Sequence, residues 1–395
     1  MNRVPHPGPP VLRVPGMPAL VCLSLLGFAG YALLLPTAPL LAVRGGADEG
    51  GAGLVNAVLM LSTVLCQTAV PWSLRRLGWR ATLTAGVLLL GLPSLALVLT
   101  DALPWILMAS AVRGAGFAIV TVCGATAVAE LVEAARRGRA IGAYGLAVAA
   151  PQVLFTPGAA WVAGNVDFRL VLVAGALPAL AVPFAVALGR RLDRADAPVG
   201  RPGAPASRGR VLLALVLPSV VLLAVTTPGG ALLTFAPQLG QGAVAASAGL
   251  LGLTAAAALS RWLAGGLADR YGPRPFVAPL LGVCAAGLAL CAWSVSGAGP
   301  GAAGLVGGMT LVGVAYGSLQ NLTLVAAFAA VPDRARSLAS AVWNIGFDAG
   351  TGFGSLVVGL VAAGAGFPAG LLATAGLCGA VGVASLVTAL TRRRA

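Results

Sequence analysis

The sequence predicts an all-α polytopic membrane protein whose twelve transmembrane helices form two pseudo-symmetric six-helix bundles. Three observations carry this expectation. Of 395 residues, 58% are hydrophobic and 9% charged, whereas a soluble domain is about 25% charged. That leaves too few charges to cover a soluble fold of this length. The apolar residues gather in runs near the roughly 20 residues that cross a bilayer. The arginines fall almost wholly on alternate connections between those runs.

Residues 1–16 carry five prolines and read as a flexible tail. The expected spans are 17–40, 52–72, 82–100, 103–129, 140–163, 168–189, 211–235, 243–267, 276–296, 300–330, 338–364 and 367–390. The first is too long for a signal-peptide core and leads straight into the second, so it is read as retained. Between them, one side receives Arg3, Arg13, Arg75, Arg76, Arg80, the Arg136–Arg139 cluster, the six arginines from Arg190 to Arg210, Arg270, Arg274, Arg334, Arg336 and Arg392–Arg394. Only Arg44 and Arg169 fall on the other side. Arg113 and Arg261 lie within or at the end of spans. Cytoplasmic connections are arginine-rich, so both termini are expected in the cytoplasm. Residues 190–210, rich in Arg, Asp, Pro and Gly, suit a linker between an N-terminal bundle, 17–189, and a C-terminal bundle, 211–390. Residues 391–395 close the chain as a second tail.

Composition also excludes chemistry. There is no lysine, and His6 is the one histidine. A Walker-type phosphate loop, Schiff-base chemistry, a histidine triad and a histidine metal site are therefore not expected. The six cysteines are scattered through apolar stretches without a C-x-x-C pair, as buried small residues would be. No catalytic residue, metal or cofactor is expected, and the chain is not read as an enzyme. The net charge of +14 reads as an orientation signal with affinity for anionic lipid, not as a nucleic-acid surface.

The halves repeat. Pro71–Arg80 aligns with Gly265–Arg274 at an offset of 194 residues, and Arg137–Tyr144 aligns with Arg336–Trp343 at 199. Each offset is near half the chain, as in transporters that rock two halves about a central site. Gly265-Gly-Leu-Ala-Asp269-Arg270-Tyr-Gly272-Pro-Arg274 fits the G-x-L-x-D-R-x-G-x-R motif of the major facilitator superfamily. Arg113-Gly-Ala-Gly116, Leu35-Pro36-Thr37-Ala38-Pro39, and Val331-Pro-Asp333 followed by Trp343-Asn-Ile-Gly-Phe-Asp348 also resemble that family, notably its bacterial exporters of sugars and drugs. In the first copy of the loop motif, Pro71 replaces the first Gly and Arg75 the Asp. The span-five antiporter pattern is partial, at Pro151 and Pro157-Gly158.

The resemblance implies the major facilitator fold, with spans one, four, seven and ten lining a cavity. It implies that Asp269, with Arg270 and Arg274, holds an inner gate by ion pairing and by facing a helix N-terminus. Gly265, Gly272 and Asp333 belong to the same machinery, with Glu133 in the matching place of the first half. The alternative is a solvated charged loop that only orients the chain.

An ionisable residue deep in a span is a functional candidate by default. Asp348 and Arg113 qualify. At 100° per residue, Asn344, Asp348, Thr351 and Ser355 share a stripe, and Gly346, Gly350 and Gly354 lie opposite, where they allow close helix packing. Asp348 on that stripe could bind and release the coupling proton. It could instead be a structural hydrogen-bonding group or recognise a substrate cation. Arg113 stays charged; it could modulate a carboxylate, bind an anionic substrate group, or be a structural residue satisfied by backbone carbonyls. Tyr31, Phe117, Thr226, Tyr316, Gln320 and Asn344 are further cavity candidates, suited to an amphipathic small molecule. The expected function is proton-coupled efflux of a small organic molecule, driven by the proton gradient, by a monomer in the bacterial cytoplasmic membrane. Its expected partners are substrate, protons and lipids. An importer or facilitator on the same fold, and a non-transporting membrane sensor, are the alternatives.

Overall fold

The computed structural model describes residues 11–132, 137–194, 208–332 and 335–394, with only the backbone for Asp269 and a few others. Among the described residues there is no strand. The long helices are α1 (Met17–Arg44), α2 (Glu49–Gln67), α3 (Val70–Gly91), α5 (Leu103–Leu131) and α6 (Arg137–Asn165) in the first part of the chain. Short α4 (Pro93–Ala96) continues α3, and α7 (Phe168–Ala174) and α8 (Val182–Arg194) together make one further crossing length. The second part holds α9 (Arg208–Phe235), α10 (Gly242–Tyr271), α11 (Arg274–Val295), α12 (Gly301–Ala329) and α13 (Arg336–Arg394). Eleven stretches of the described residues are long and apolar enough to cross a bilayer. The last, Leu338–Thr388, is 51 residues, or about 76 Å of helix, more than twice the roughly 30 Å of a hydrocarbon core. It is broken at Gly366, whose φ of 80° and ψ of 163° are not helical. The chain is thus an all-α, multi-pass membrane protein.

Glycine breaks mark the repeat. Gly78, inside α3, has φ 78° and ψ 174°. Gly272, between α10 and α11, has φ 73° and ψ 166°. These are the two glycines aligned by the sequence repeat, and they turn the backbone in the same way. The left-handed region is open to glycine at little cost. At Gly78 the restarted helix has a cap that the sequence did not announce. Asp193, near the end of α8, accepts hydrogen bonds from the backbone amides of Trp79 at 2.7 Å and Arg80 at 3.2 Å. A carboxylate at a helix start satisfies orphan N–H groups and the helix dipole. Asp193→Ala should therefore lower stability by about 1 kcal/mol, read as a fall in the thermal midpoint of the purified protein. Asp193→Asn should retain most of it.

Helices before residue 195 pack chiefly on one another, as do those after 208; the two sets meet mainly through α2 on α13, α6 on α10 and α1 on α9. Within lipid there is little hydrophobic drive to bring helices together, so small residues and hydrogen bonds decide the fit. Gly350 and Gly354 of α13 lie directly against Thr226 and Thr227 of α9, which is the close packing expected of the glycine face. Gly317 of α12 fits equally tightly over Ala257 of α10. Large apolar side chains such as Leu61, Leu65, Leu213 and Trp262 point outward instead, where lipid would cover them.

Prolines inside the spans free carbonyls, because each lacks the N–H owed to the residue four before it. Pro39 frees the carbonyl of Leu35, and Asn56 of α2 donates to it at 2.8 Å. Pro228 frees that of Ala224, which the Cys378 thiol meets at 3.1 Å. Cys123, Cys284, Cys291 and Cys378 are buried, while Cys22 and Cys66 are half-buried.

The two ends of the bundle differ. One carries the arginine-rich connections. At the other, Arg44 and Arg169 border one cleft of about 580 Å³ together with Asp101 and Asp167. There the Arg44 guanidinium lies 4.1 Å over the Phe168 ring. A cation above an aromatic face is attracted by the ring quadrupole.

Candidate functional site

The contacts between the two helix sets are tightest toward the arginine-poor end. Asn56 of α2 donates to Thr234 of α9 at 2.9 Å, and Thr234 shares a 2.7 Å hydrogen bond with Ser355 of α13. All three side chains are buried. Gly53 of α2 abuts the Ser355 carbonyl, and Gly359 of α13 abuts that of Glu49. No side chain larger than hydrogen fits at either place without displacing backbone.

Deeper in the bundle lies the polar stripe of α13. Asp348 is 6% exposed, and Gln67 of α2 donates to its Oδ2 at 2.6 Å. The bond spans the seam between the two helix sets. Thr351 and Ser355 continue the stripe inward and are buried, whereas Asn344 is exposed and donates to the Ser340 carbonyl one turn back. Of the eleven acidic residues in the sequence, Asp348 is the one, among the described residues, away from helix ends and connections.

Arg113 of α5 is 1% exposed. Its Nε donates to the carbonyl of Leu90 and its Nη2 to that of Gly30, each at 3.3 Å. The Leu90 carbonyl belongs to the last turn of α3, where intrahelical donors run out and a cation is favourable. Arg113 therefore ties α5 to α3 and α1, in the manner of a residue satisfied by backbone carbonyls. Nearby, Tyr31 of α1 stacks on Phe117 of α5, with ring centroids 4.2 Å apart and planes at 11°. Phe28 meets Phe117 edge-on at 5.4 Å. Tyr31 also meets Phe28 edge-on at 6.2 Å.

The other wall comes from the C-terminal helices. Tyr316 of α12 lies one turn before Gln320, and its ring lies over Gly229 of α9. Arg261 of α10 donates from Nη1 to Gln320 Oε1 at 3.1 Å. Phe347 packs against Tyr316 and stacks with Trp343, whose Nε1 donates to Thr323 at 3.1 Å. Three aromatic rings thus cluster in the first helix set and three in the second.

Of the sequence-derived candidates, Tyr31, Arg113, Phe117, Tyr316, Gln320 and Asp348 come together here. Thr226 does not: its hydroxyl donates back to the Leu222 carbonyl and it faces Gly350, because α9 turns that side to α13. Asn344 lies on the stripe but toward its exposed end. In the loop motif, Gly265 faces Asn321, Gly272 makes the turn, Arg270 is exposed and Arg274 opens α11. The Asp269 side chain, Asp333 and Glu133 lie outside the described residues. Sequence reading missed Gln67 and Arg261 as site residues. Gln67 is a lone amide in an apolar run, which was a usable signal. Arg261 was placed near a span end, but α10 continues to Tyr271 and sets it ten residues inside, or about 15 Å.

The family model of the Major Facilitator Superfamily matches residues 20–297 and 214–395. Among solved structures, the chain is similar to a bacterial homologue of the human lysosomal transporter Spinster, in an inward-facing and unoccupied conformation, with 18% identity, 96% of this chain and 95% of that one covered, and a TM-score of 0.69. It is also similar to the nucleoside transporter NupG (15% identity, 94% and 98% covered, TM-score 0.68). The peptide transporter POT, in complex with sulfate, aligns at 15% identity over 95% of this chain and 94% of that one, with a TM-score of 0.72. No curated protein matches the sequence.

Proposed function

Since the chain belongs to the major facilitator superfamily, we propose that it is a secondary transporter that exports a small organic molecule in exchange for protons by alternating access. The observation that carries this reading is the Asp348–Gln67 hydrogen bond, a buried carboxyl group held across the seam between the two helix sets. A carboxyl group there changes charge when it takes or loses a proton, and the strength of the seam changes with it. Arg113 keeps its proton and acts as a fixed strut behind Tyr31. Export, rather than import, rests on the resemblance of residues 331–352 to bacterial exporters.

In this reading the break at Gly366 divides α13 into two crossings, giving twelve, with the N-terminal bundle at 17–189 and the C-terminal bundle at 211–390. The arginine-rich end is cytoplasmic, following the arginine asymmetry, and both termini lie there. The tight seam around Asn56, Thr234 and Ser355 then closes the outer side, so the state described faces inward. Asp269, Arg270, Arg274 and Asp333 close the opposite side in the alternate state. The transporter works as a monomer with no cofactor and draws on the proton gradient.

Everted and right-side-out vesicles containing the protein test the proposal. A pH-sensitive dye trapped inside reports proton movement as pools of candidate compounds are added. Compound-dependent proton flux is expected, with compound moving opposite to protons. Flux that ignores the pH gradient in both orientations would dismiss proton exchange, and co-directional movement would replace export with import.

A further inference from the structure

Among the described residues, three charged side chains lie well inside the spans: Arg113, Arg261 and Asp348. Two are permanent cations, and one is an acid. Arg113 is buried and spends its donors on carbonyls of its own helix set. Asp348 is engaged by Gln67. No ion pair joins either arginine to Asp348 among the contacts described. Among the described residues, then, neither arginine meets a carboxylate. Arg113 is satisfied by carbonyls, whereas Arg261 is exposed within its span, and a cation there is completed by an ion of opposite sign.

Arg261 is the accessible one. It lies on the stripe of α10 that faces α12, below Leu253 and Ala257, which receive Gly313 and Gly317. Its head turns to Gln320, not to the lipid-facing side where neighbouring Trp262 is 77% exposed. Gln320 is buried and holds one nitrogen, Nη1, by its carbonyl oxygen. Asn321 fixes the Arg261 backbone by donating to its carbonyl at 3.0 Å. The guanidinium is thus anchored at one corner, and its Nε and Nη2 donors remain for a ligand. A guanidinium fork held this way matches a carboxylate or phosphate in a two-point contact. One turn before Gln320 on α12, Tyr316 packs with Phe347, which stacks with Trp343, and in the other helix set Tyr31 stacks on Phe117.

We infer that the transported substrate is an amphipathic organic anion, whose carboxylate or phosphate pairs with Arg261 and whose apolar body lies among the rings of the central site. This rests on the transporter reading above for the word "transported", but binding is tested separately from transport.

The experiment uses the full chain, purified in detergent, and small probes that differ only in the head group. Benzoate and phenyl phosphate are compared with benzylammonium and benzyl alcohol through the thermal unfolding midpoint. A ligand that binds the folded state alone raises the midpoint with its concentration. The two anions should raise it by a few degrees at millimolar concentration, and added chloride should weaken the effect. The cation and the alcohol should not. Arg261→Gln should abolish the anion-dependent rise, and Arg261→Lys should reduce it several-fold. Arg169→Gln, at the far end of the bundle, should keep it. Equal shifts from all four probes, or a full anion shift in Arg261→Gln, would overturn the inference. If Arg261→Gln does not fold, the head-group comparison in the wild type and the Arg261→Lys variant decide alone. Loss of proton-coupled flux with the anion shift intact would remove the transporter reading and leave the site; flux intact without an anion preference would remove the site and leave the transporter.

Discussion

Asp348→Asn should reduce pH-gradient-driven transport at least about tenfold while leaving the protein folded. The amide has the size of the carboxyl group and can still hydrogen-bond Gln67 after rotation, so packing of α13 on α2 is kept. What it cannot do is change charge. If Asp348 carries the coupling proton, gradient-driven movement is lost, while exchange of labelled for unlabelled compound at equal pH survives, since exchange needs no net proton transfer. If Asp348 is only a structural hydrogen-bonding group, the two activities fall together or not at all. Gln67→Leu separates the roles further. It leaves the carboxyl group without its described partner, and should alter the pH dependence of transport without abolishing coupling. Equal coupling in wild type and Asp348→Asn would remove this residue from the mechanism.

A second large effect is expected at the seam. Gly53→Leu places a side chain against the Ser355 carbonyl and the Phe235 ring. Both neighbours are buried, and one is backbone, so little relaxation is available. Overpacking of this kind costs about 3 kcal/mol, enough to depopulate the closed seam roughly a hundredfold relative to an open one. The readout is a reporter, Thr234→Cys, in a background where the native cysteines are replaced. In the parent it is buried between α2 and α13 and should react slowly with a membrane-impermeant thiol reagent. With Gly53→Leu, its labelling from the arginine-poor side should rise at least about tenfold. Gly266→Leu is the control, because a Cβ there meets nothing within 4 Å. Unchanged labelling in Gly53→Leu would mean that this seam does not open.

Much of this arrangement could be read in the sequence, and the part that could not has a physical reason. Helical periodicity is a property of one helix, so the stripe of Asp348, Thr351 and Ser355 and the opposing glycines were legible from spacing. Which helix each face meets depends on the whole bundle. That is why Thr226, on a span expected to line the cavity, is turned toward Gly350 instead. Likewise, nothing in the apolar run of α2 tells which acid Gln67 will find 281 residues later. Arg261 was obscured by a boundary: a hydrophobic run ends where charge begins, but the helix itself ran on past Asp269 and Arg270 to Tyr271. Asp193 shows the limit most clearly. It stands among Arg190, Arg191 and Arg194 in sequence, and only folding brings it to the amides of Trp79 and Arg80.

The single break in α13 has a mechanical consequence. A loop of several residues would let two neighbouring spans drift independently, whereas here Gly366 alone joins them. The two lengths share one pivot with two soft dihedrals. In the proposed twelve-span arrangement, a shift of the length bearing Asp348 carries the near end of the final length with it, while the angle at the elbow stays free to change. In the proposed transport cycle, Asp348 on one arm and Cys378, buried where it meets the Ala224 carbonyl, on the other belong to one moving part.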